Sequence, residues 1–236
     1  MIKCCIFDMG GVMVRDYQIW PQLLPFLGLT GKSFADCERN LIETVQSHSR
    51  GEITENDFWA IYPGITCRQI PAHDESETLF AKFFNPKMDE PTLQTVQELK
   101  SGGMRTVCGT NVIEAHYKIH TALKQYAVFD KVYASHLIGL AKPDPAFYKY
   151  ILIAEGIEPN DTFFTDDSAA NVESALSLGM NAYLYTDAEA LSRQLQFLGL
   201  IKKKLPRIKL IKTRKLFIKV PNKDKEYNRD AEKLLS

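Results

Sequence analysis

Asp8, Thr110, Asn111, Lys142, Asp166 and Asp167 are widely spaced, yet all but Lys142 directly follow or end a strand-like run, and Lys142 lies a short way beyond another. Together they offer carboxylates, an amine, a hydroxyl and a carboxamide. That is the equipment of magnesium-dependent phosphoryl transfer: oxygen ligands suit a hard cation, a carboxylate can attack phosphorus, and cationic and hydrogen-bonding groups offset the charge of phosphate oxygens. Each residue alone has a plainer reading, as a turn, a helix start or a solvated loop residue. Joint placement at successive strand ends is what makes them a candidate site.

The elements that must position them follow a simple rhythm. Ile2–Phe7 reads as a buried strand, and from Asp89 onward helix and strand alternate. Pro91 can open a helix that stops at Gly102-Gly103. Strands are expected over Met104–Thr110, Lys131–Ser135, Asp161–Asp167 and Asn181–Asp187. Helices are expected over Val112–Gln125, Ala146–Glu155, Asn171–Leu178 and Ala188–Leu198. This pattern predicts an α/β fold with a doubly wound, mostly parallel Rossmann-like sheet, whose ligands bind at the carboxyl ends of the strands.

Between the first strand and the rest, Tyr17–Lys87 shows helical spacing and no convincing strand. Thr54 stands three residues ahead of Asp57, a relative of the capping box, and the helix it starts is expected to stop at Pro63-Gly64. The predicted division is a core of residues 1–16 and 88–200, an inserted helical cap subdomain over 17–87, and a basic extension over 201–236. Trp20, Phe58 and Trp59 are expected to form the core of the cap. His116 is expected to be a packing residue, and Asn171, four residues after Asp167, could orient that carboxylate or cap a helix.

In "FDMGGV", "TVCG" before Thr110, "GLAKPDPAFY" and "FFTDDSAANV", in that order, the sequence resembles the haloacid dehalogenase-like hydrolases over about residues 1–200. It is most similar to the branch with sugar-phosphate phosphatases and the amino-terminal domain of epoxide hydrolases. The resemblance implies a phosphatase acting on a small phosphorylated substrate, a sugar phosphate in the first instance. It implies Asp8 as nucleophile, with Thr110 and Lys142 as its catalytic partners. Phosphate would be held by Gly10, Gly11, Thr110, Asn111 and Lys142. Mg²⁺ would be held by Asp8, the Gly10 carbonyl and Asp167, with Asp166 a further ligand or the partner of one.

One departure bears on mechanism. Ordinary phosphatases of the family carry a second Asp two residues beyond the nucleophile, as proton donor to the leaving alcohol; here that residue is Gly10. General acid–base help is worth about 10² to 10⁴ in rate. Its absence points to a phosphate with a good leaving group, or to a weak or inactive phosphatase-like binding protein. Dehalogenase or phosphonatase chemistry is a more distant reading, since Gly10 removes the aromatic expected there for dehalogenation.

Composition sets the wider frame. The 236 residues carry 29 basic and 29 acidic side chains, but residues 201–236 hold 13 Lys/Arg against 4 Asp/Glu. A basic tail of this kind leaves polyanion binding open, although nucleic acid is not the expected partner. Five cysteines without CxxC spacing fit a reducing, cytoplasmic setting, and neither a leader nor a membrane-spanning run is evident. The sequence leaves oligomeric state undetermined.

Overall fold

The structure, a computed structural model, describes residues 1–74 and 78–202; the basic extension called over 201–236 lies outside them from residue 203 onward. In chain order the elements begin with β1 (Cys4–Phe7), β2 (Val14–Arg15), α1 (Trp20–Phe26), α2 (Phe34–Cys37) and α3 (Ile42–Ser49). They continue with α4 (Glu55–Thr66), α5 (Leu79–Lys82), β3 (Lys87–Met88), α6 (Glu90–Ser101), β4 (Arg105–Thr110) and α7 (Glu114–Ala122). The last are β5 (Lys131–Ala134), α8 (Ser135–Ile138), α9 (Pro145–Glu155), β6 (Thr162–Asp166), α10 (Ala169–Ser177), β7 (Asn181–Leu184) and α11 (Ala188–Phe197). Met1–Lys202 is one compact unit.

The main sheet has five parallel strands in the order β5-β4-β1-β6-β7, the doubly wound α/β arrangement that the sequence predicts. All four residues of β1 are buried because helices cover both faces, and its unbroken apolar sequence reflects that. Cys5 and Phe7 face one cluster with Val96, Leu99, Leu191 and Leu195. Cys4 and Ile6 face the other with Phe147, Ile151, Phe164 and Val172. From β1 the chain builds β4 and β5 on one side and then returns to build β6 and β7 on the other. The carboxyl end of β1 is therefore the switch point, where neighbouring connections diverge and leave a crevice.

Residues 19–84 pack a third apolar cluster of their own, centred on Phe34, Phe58, Tyr62 and Phe80. The Thr54–Asp57 capping box is complete: the Thr54 hydroxyl accepts from Asp57 N and Asp57 Oδ2 accepts from Thr54 N. Two local expectations need correction. Helix α4 does not stop at Pro63-Gly64 but runs to Thr66 and ends at left-handed Cys67, whose N–H bonds the Pro63 carbonyl. Proline forfeits its own bond to the preceding turn and its ring disfavours the usual approach of the carbonyl four residues back, yet the helix continues three residues beyond it. The stretch 17–87 also contributes to a strand. Lys87 and Met88 pair antiparallel with Arg15 and Val14, forming a short ribbon where the helical segment leaves and rejoins the sheet. Arg15 braces this junction through an ion pair to Asp89 (3.3 Å) and a hydrogen bond to the Tyr185 hydroxyl (2.8 Å).

Candidate active site

Register places the site. Phe7 lies opposite Cys108 on β4 and Thr165 on β6, so the next residue of each strand, Asp8, Gly109 and Asp166, arrives at one sheet edge. Lys142 comes from the loop before α9 and is almost wholly buried there. Its ammonium donates to Asp8 Oδ1 (2.6 Å), Asp166 Oδ2 (2.6 Å) and the Gly109 carbonyl (2.8 Å). These contacts use all three donors of a lysine. Any further acceptor that approached the ammonium would have to take over one of them.

The loop is locked in register by Asn111. Its carboxamide donates to the Lys142 carbonyl and accepts from the Lys142 N–H, both at 2.8 Å. Asn171 donates to Asp166 Oδ1 at 2.9 Å, and the Ser168 N–H reaches the same oxygen at 2.9 Å. Asn171 thus orients Asp166, not Asp167 as its spacing suggested. With Lys142 on its other oxygen, Asp166 has a partner on each carboxylate oxygen.

Electrostatics follow from this packing. Burial is the largest influence on Asp8 and pushes its carboxyl up, reinforced by Asp166 and opposed by Lys142. Burial alone would lower Lys142, but the two carboxylates outweigh it and hold the ammonium protonated. Asp167 is exposed at the rim; its partial withdrawal from water and the neighbouring Asp166 raise its carboxyl. Asp8, Asp166 and Asp167 each place a carboxylate oxygen within 4.8 Å of the others. Such an all-oxygen donor set fits a hard divalent cation of the Mg²⁺ kind, which favours carboxylates and retains water.

Asp8, Gly10, Thr110, Asn111, Lys142, Asp166 and Asp167 all line one cavity of about 320 Å³. Gly11, expected to hold phosphate, is not among the residues that line it; its φ is +78° and a Cβ there would fall 2.0 Å from Asp167 Oδ2, so glycine leaves room for that carboxylate where it stands. At Gly10 a Cβ would lie 2.9 Å from the ring of Tyr17. The Tyr17 ring borders the space that a second acid would enter, and its hydroxyl lies 3.5 Å from Asp167 Oδ2. Nothing in the sequence marks Tyr17, because its approach depends on how the chain turns after β2.

Across the cavity the wall comes from the helical segment and α7. Trp20 and Phe58 line it as well as packing in the third cluster, whereas Trp59 stacks on Phe80. His116 packs, as expected, parallel to Phe84 with ring centroids 3.7 Å apart and its Nε2 3.1 Å from the Phe80 carbonyl; it also borders the cavity. Phe80, Phe84 and Ile113 also contribute to this wall, and the sequence does not single them out, because a core face and a pocket wall share one apolar signal.

Comparison with known proteins agrees with this geometry. The chain is 29% identical over 202 residues to drimenol cyclase drtB of Aspergillus calidoustus, covering 83% of the chain but 36% of that protein, so it spans about a third of this relative. It is 27% identical over 200 residues to sesquiterpene phosphatase astK of Aspergillus oryzae, covering 82% of the chain and 95% of the relative. A solved haloacid dehalogenase family enzyme from Bacteroides thetaiotaomicron, in complex with magnesium and inorganic phosphate, shares the fold with a TM-score of 0.60 at 21% identity. The likeness covers 79% of this chain and 95% of that one. The family model for haloacid dehalogenase-like hydrolases matches residues 2–179, and the chain belongs to that family of hydrolases.

Proposed function

We propose that this protein is a magnesium-dependent phosphatase that hydrolyses a small phosphomonoester through an aspartyl-phosphate on Asp8. One observation carries the reading: a buried carboxylate at the switch point of the sheet, held by a lysine that a second buried carboxylate shares. The shared ammonium fixes the Asp8 side chain, so one carboxylate oxygen is presented to the cavity in a set orientation. Thr110, at the end of β4, and Asn111 border the place where phosphate oxygens would sit, and Lys142 supplies their positive charge.

Attack by an Asp8 oxygen on phosphorus forms the acyl phosphate, and the phosphorus–oxygen bond to the alcohol breaks. The alcohol leaves with that electron pair and takes a proton from solvent. Water then attacks phosphorus, inorganic phosphate departs and the Asp8 carboxylate is restored. Asp8, Asp167 and the Gly10 carbonyl would hold Mg²⁺, with Asp166 beside them, and the ion supplies charge neutralisation during phosphoryl transfer. The helical segment between β2 and β3 serves as the cap that closes over the phosphate end.

A second reading, a phosphatase-like binding protein, draws its support from Gly10, which offers no proton donor. Phosphate release from a panel of monoesters with Mg²⁺ separates the two. Turnover by the wild type that disappears in Asp8→Asn supports the enzyme; binding of a monoester without turnover in either protein supports the alternative. Turnover that survives Asp8→Asn removes Asp8 as nucleophile.

A further inference from the structure

The cavity has two chemically distinct ends. Its charged groups, Asp8, Lys142, Asp166 and Asp167, all stand at the phosphate end. The facing wall is made largely of Ile19, Trp20, Phe58, Phe80, Phe84 and Ile113, drawn from the helical segment and the start of α7. One ring nitrogen of each of two histidines on that wall is turned toward the protein: His116 Nε2 meets the Phe80 carbonyl and His120 Nδ1 meets Gln125 Oε1. His48 lays its ring against Phe58 and Phe80. A sugar entering here would bring several hydroxyls to a wall on which aromatic and aliphatic side chains outnumber the groups able to bond them, namely Tyr17, Gln18, Ser49 and the histidine nitrogens. A buried hydroxyl without a partner weakens binding, whereas an apolar body against aromatic rings strengthens it.

We propose that this site selects monophosphate esters of apolar alcohols, terpenoid or aryl-alkyl, over sugar phosphates. The inference rests on the phosphatase reading and names the substrate class of the same site. A volume of about 320 Å³ lies at the small end of ligand pockets, which commonly span roughly 300–1,000 Å³. It suits one compact hydrocarbon body attached to one phosphate. The wall acts on the bound ester before any bond breaks, so it is expressed in KM and not in kcat.

The test compares geranyl phosphate, 2-(1-naphthyl)ethyl phosphate and ribitol 5-phosphate with the full chain and Mg²⁺, all three being esters of primary alcohols. The expected result is a KM at least tenfold lower for one or both apolar esters, and which of them leads tells the terpenoid from the aryl-alkyl source. An equal or lower KM for ribitol 5-phosphate overturns the proposal. Trp20→Gln, and the same change at Val45 of α3, which also lines the cavity, place a polar group in the wall and should each narrow the preference several-fold; a ratio unmoved in both counts against the wall. If no ester turns over, the phosphatase reading fails. Calorimetric binding of the same esters to Asp8→Asn then tests the wall by itself, and tighter sugar binding overturns it.

Discussion

Gly10 and Tyr17 must be considered as a pair. The family resemblance makes Gly10→Asp the obvious way to restore a proton donor, but the new Cβ would come within 2.9 Å of the Tyr17 ring, which is partly buried against the apolar cluster around β1. We expect Gly10→Asp to lower stability by about 1–3 kcal/mol, the usual cost of overpacking, and to give no gain in kcat. Pairing it with Tyr17→Ala removes the obstacle, so the double variant should recover stability and gain rate on esters with poor leaving groups. Denaturation midpoints and kcat for the four proteins form the cycle that checks this. Lys142 carries a second prediction. Lys142→Met strands Asp8 and Asp166 in a buried setting, so stability should fall by about 3–5 kcal/mol. Loss of the cation should also cost about 10² to 10³ in kcat, as for other preorganised groups facing developing charge.

Among the elements, the sheet was readable because buried parallel strands are short apolar runs separated by well-capped helices. Asp89, Asp144 and Asp187 each cap the helix that follows, and Gly156 ends α9 in the left-handed region. The ribbon of β2 and β3 was not readable, since two residues per strand show no periodicity. The candidate site was readable where a residue follows a strand and unreadable where a partner crosses the cavity. Asp8 and Asp166 fall in the first class; Tyr17 and the wall of Phe80 and Phe84 fall in the second. The helices also bury histidines, and that has a consequence in acid. Burial, with His136 nearby, holds His48 on α3 down to about 4, and burial lowers His120 on α7 as well. A depressed histidine is neutral in the folded chain but takes a proton in the unfolded chain below about pH 6.5. Its stabilising contribution is therefore whole above that pH and is lost as pH falls toward 4. His48 alone should account for roughly 1–2 kcal/mol between pH 7.5 and pH 5. Urea unfolding at the two pH values checks this, with His48→Leu expected to show the smaller drop; an equal drop in both proteins would mean that His48 is not responsible.

For the whole molecule, a magnesium ion held by the acidic cluster would tie folding to the cation. Among the described residues no helix is long and apolar enough to cross a membrane, and Met1–Lys202 holds the sheet, all three apolar clusters and the cavity. Three carboxylates meet within 4.8 Å, and Lys142 contacts two of them; among the described residues Asp167 faces the others without a cation of its own at hydrogen-bond distance. A divalent ion that binds this arrangement and not the unfolded chain must raise stability, by about 2.7 kcal/mol when its concentration is a hundred times its Kd. In a unit of this size that is on the order of 5–10 °C in Tm. Asp167→Asn removes both a ligand and a repulsive charge, so two shifts of different origin are expected. Its Tm without metal should lie at or above that of the wild type, and added Mg²⁺ should move it little. Thermal unfolding of both proteins in EDTA and in excess Mg²⁺ reads the two effects separately. A wild type that does not respond to Mg²⁺, or an Asp167→Asn variant that responds as strongly, would show that the cluster is not where the cation binds.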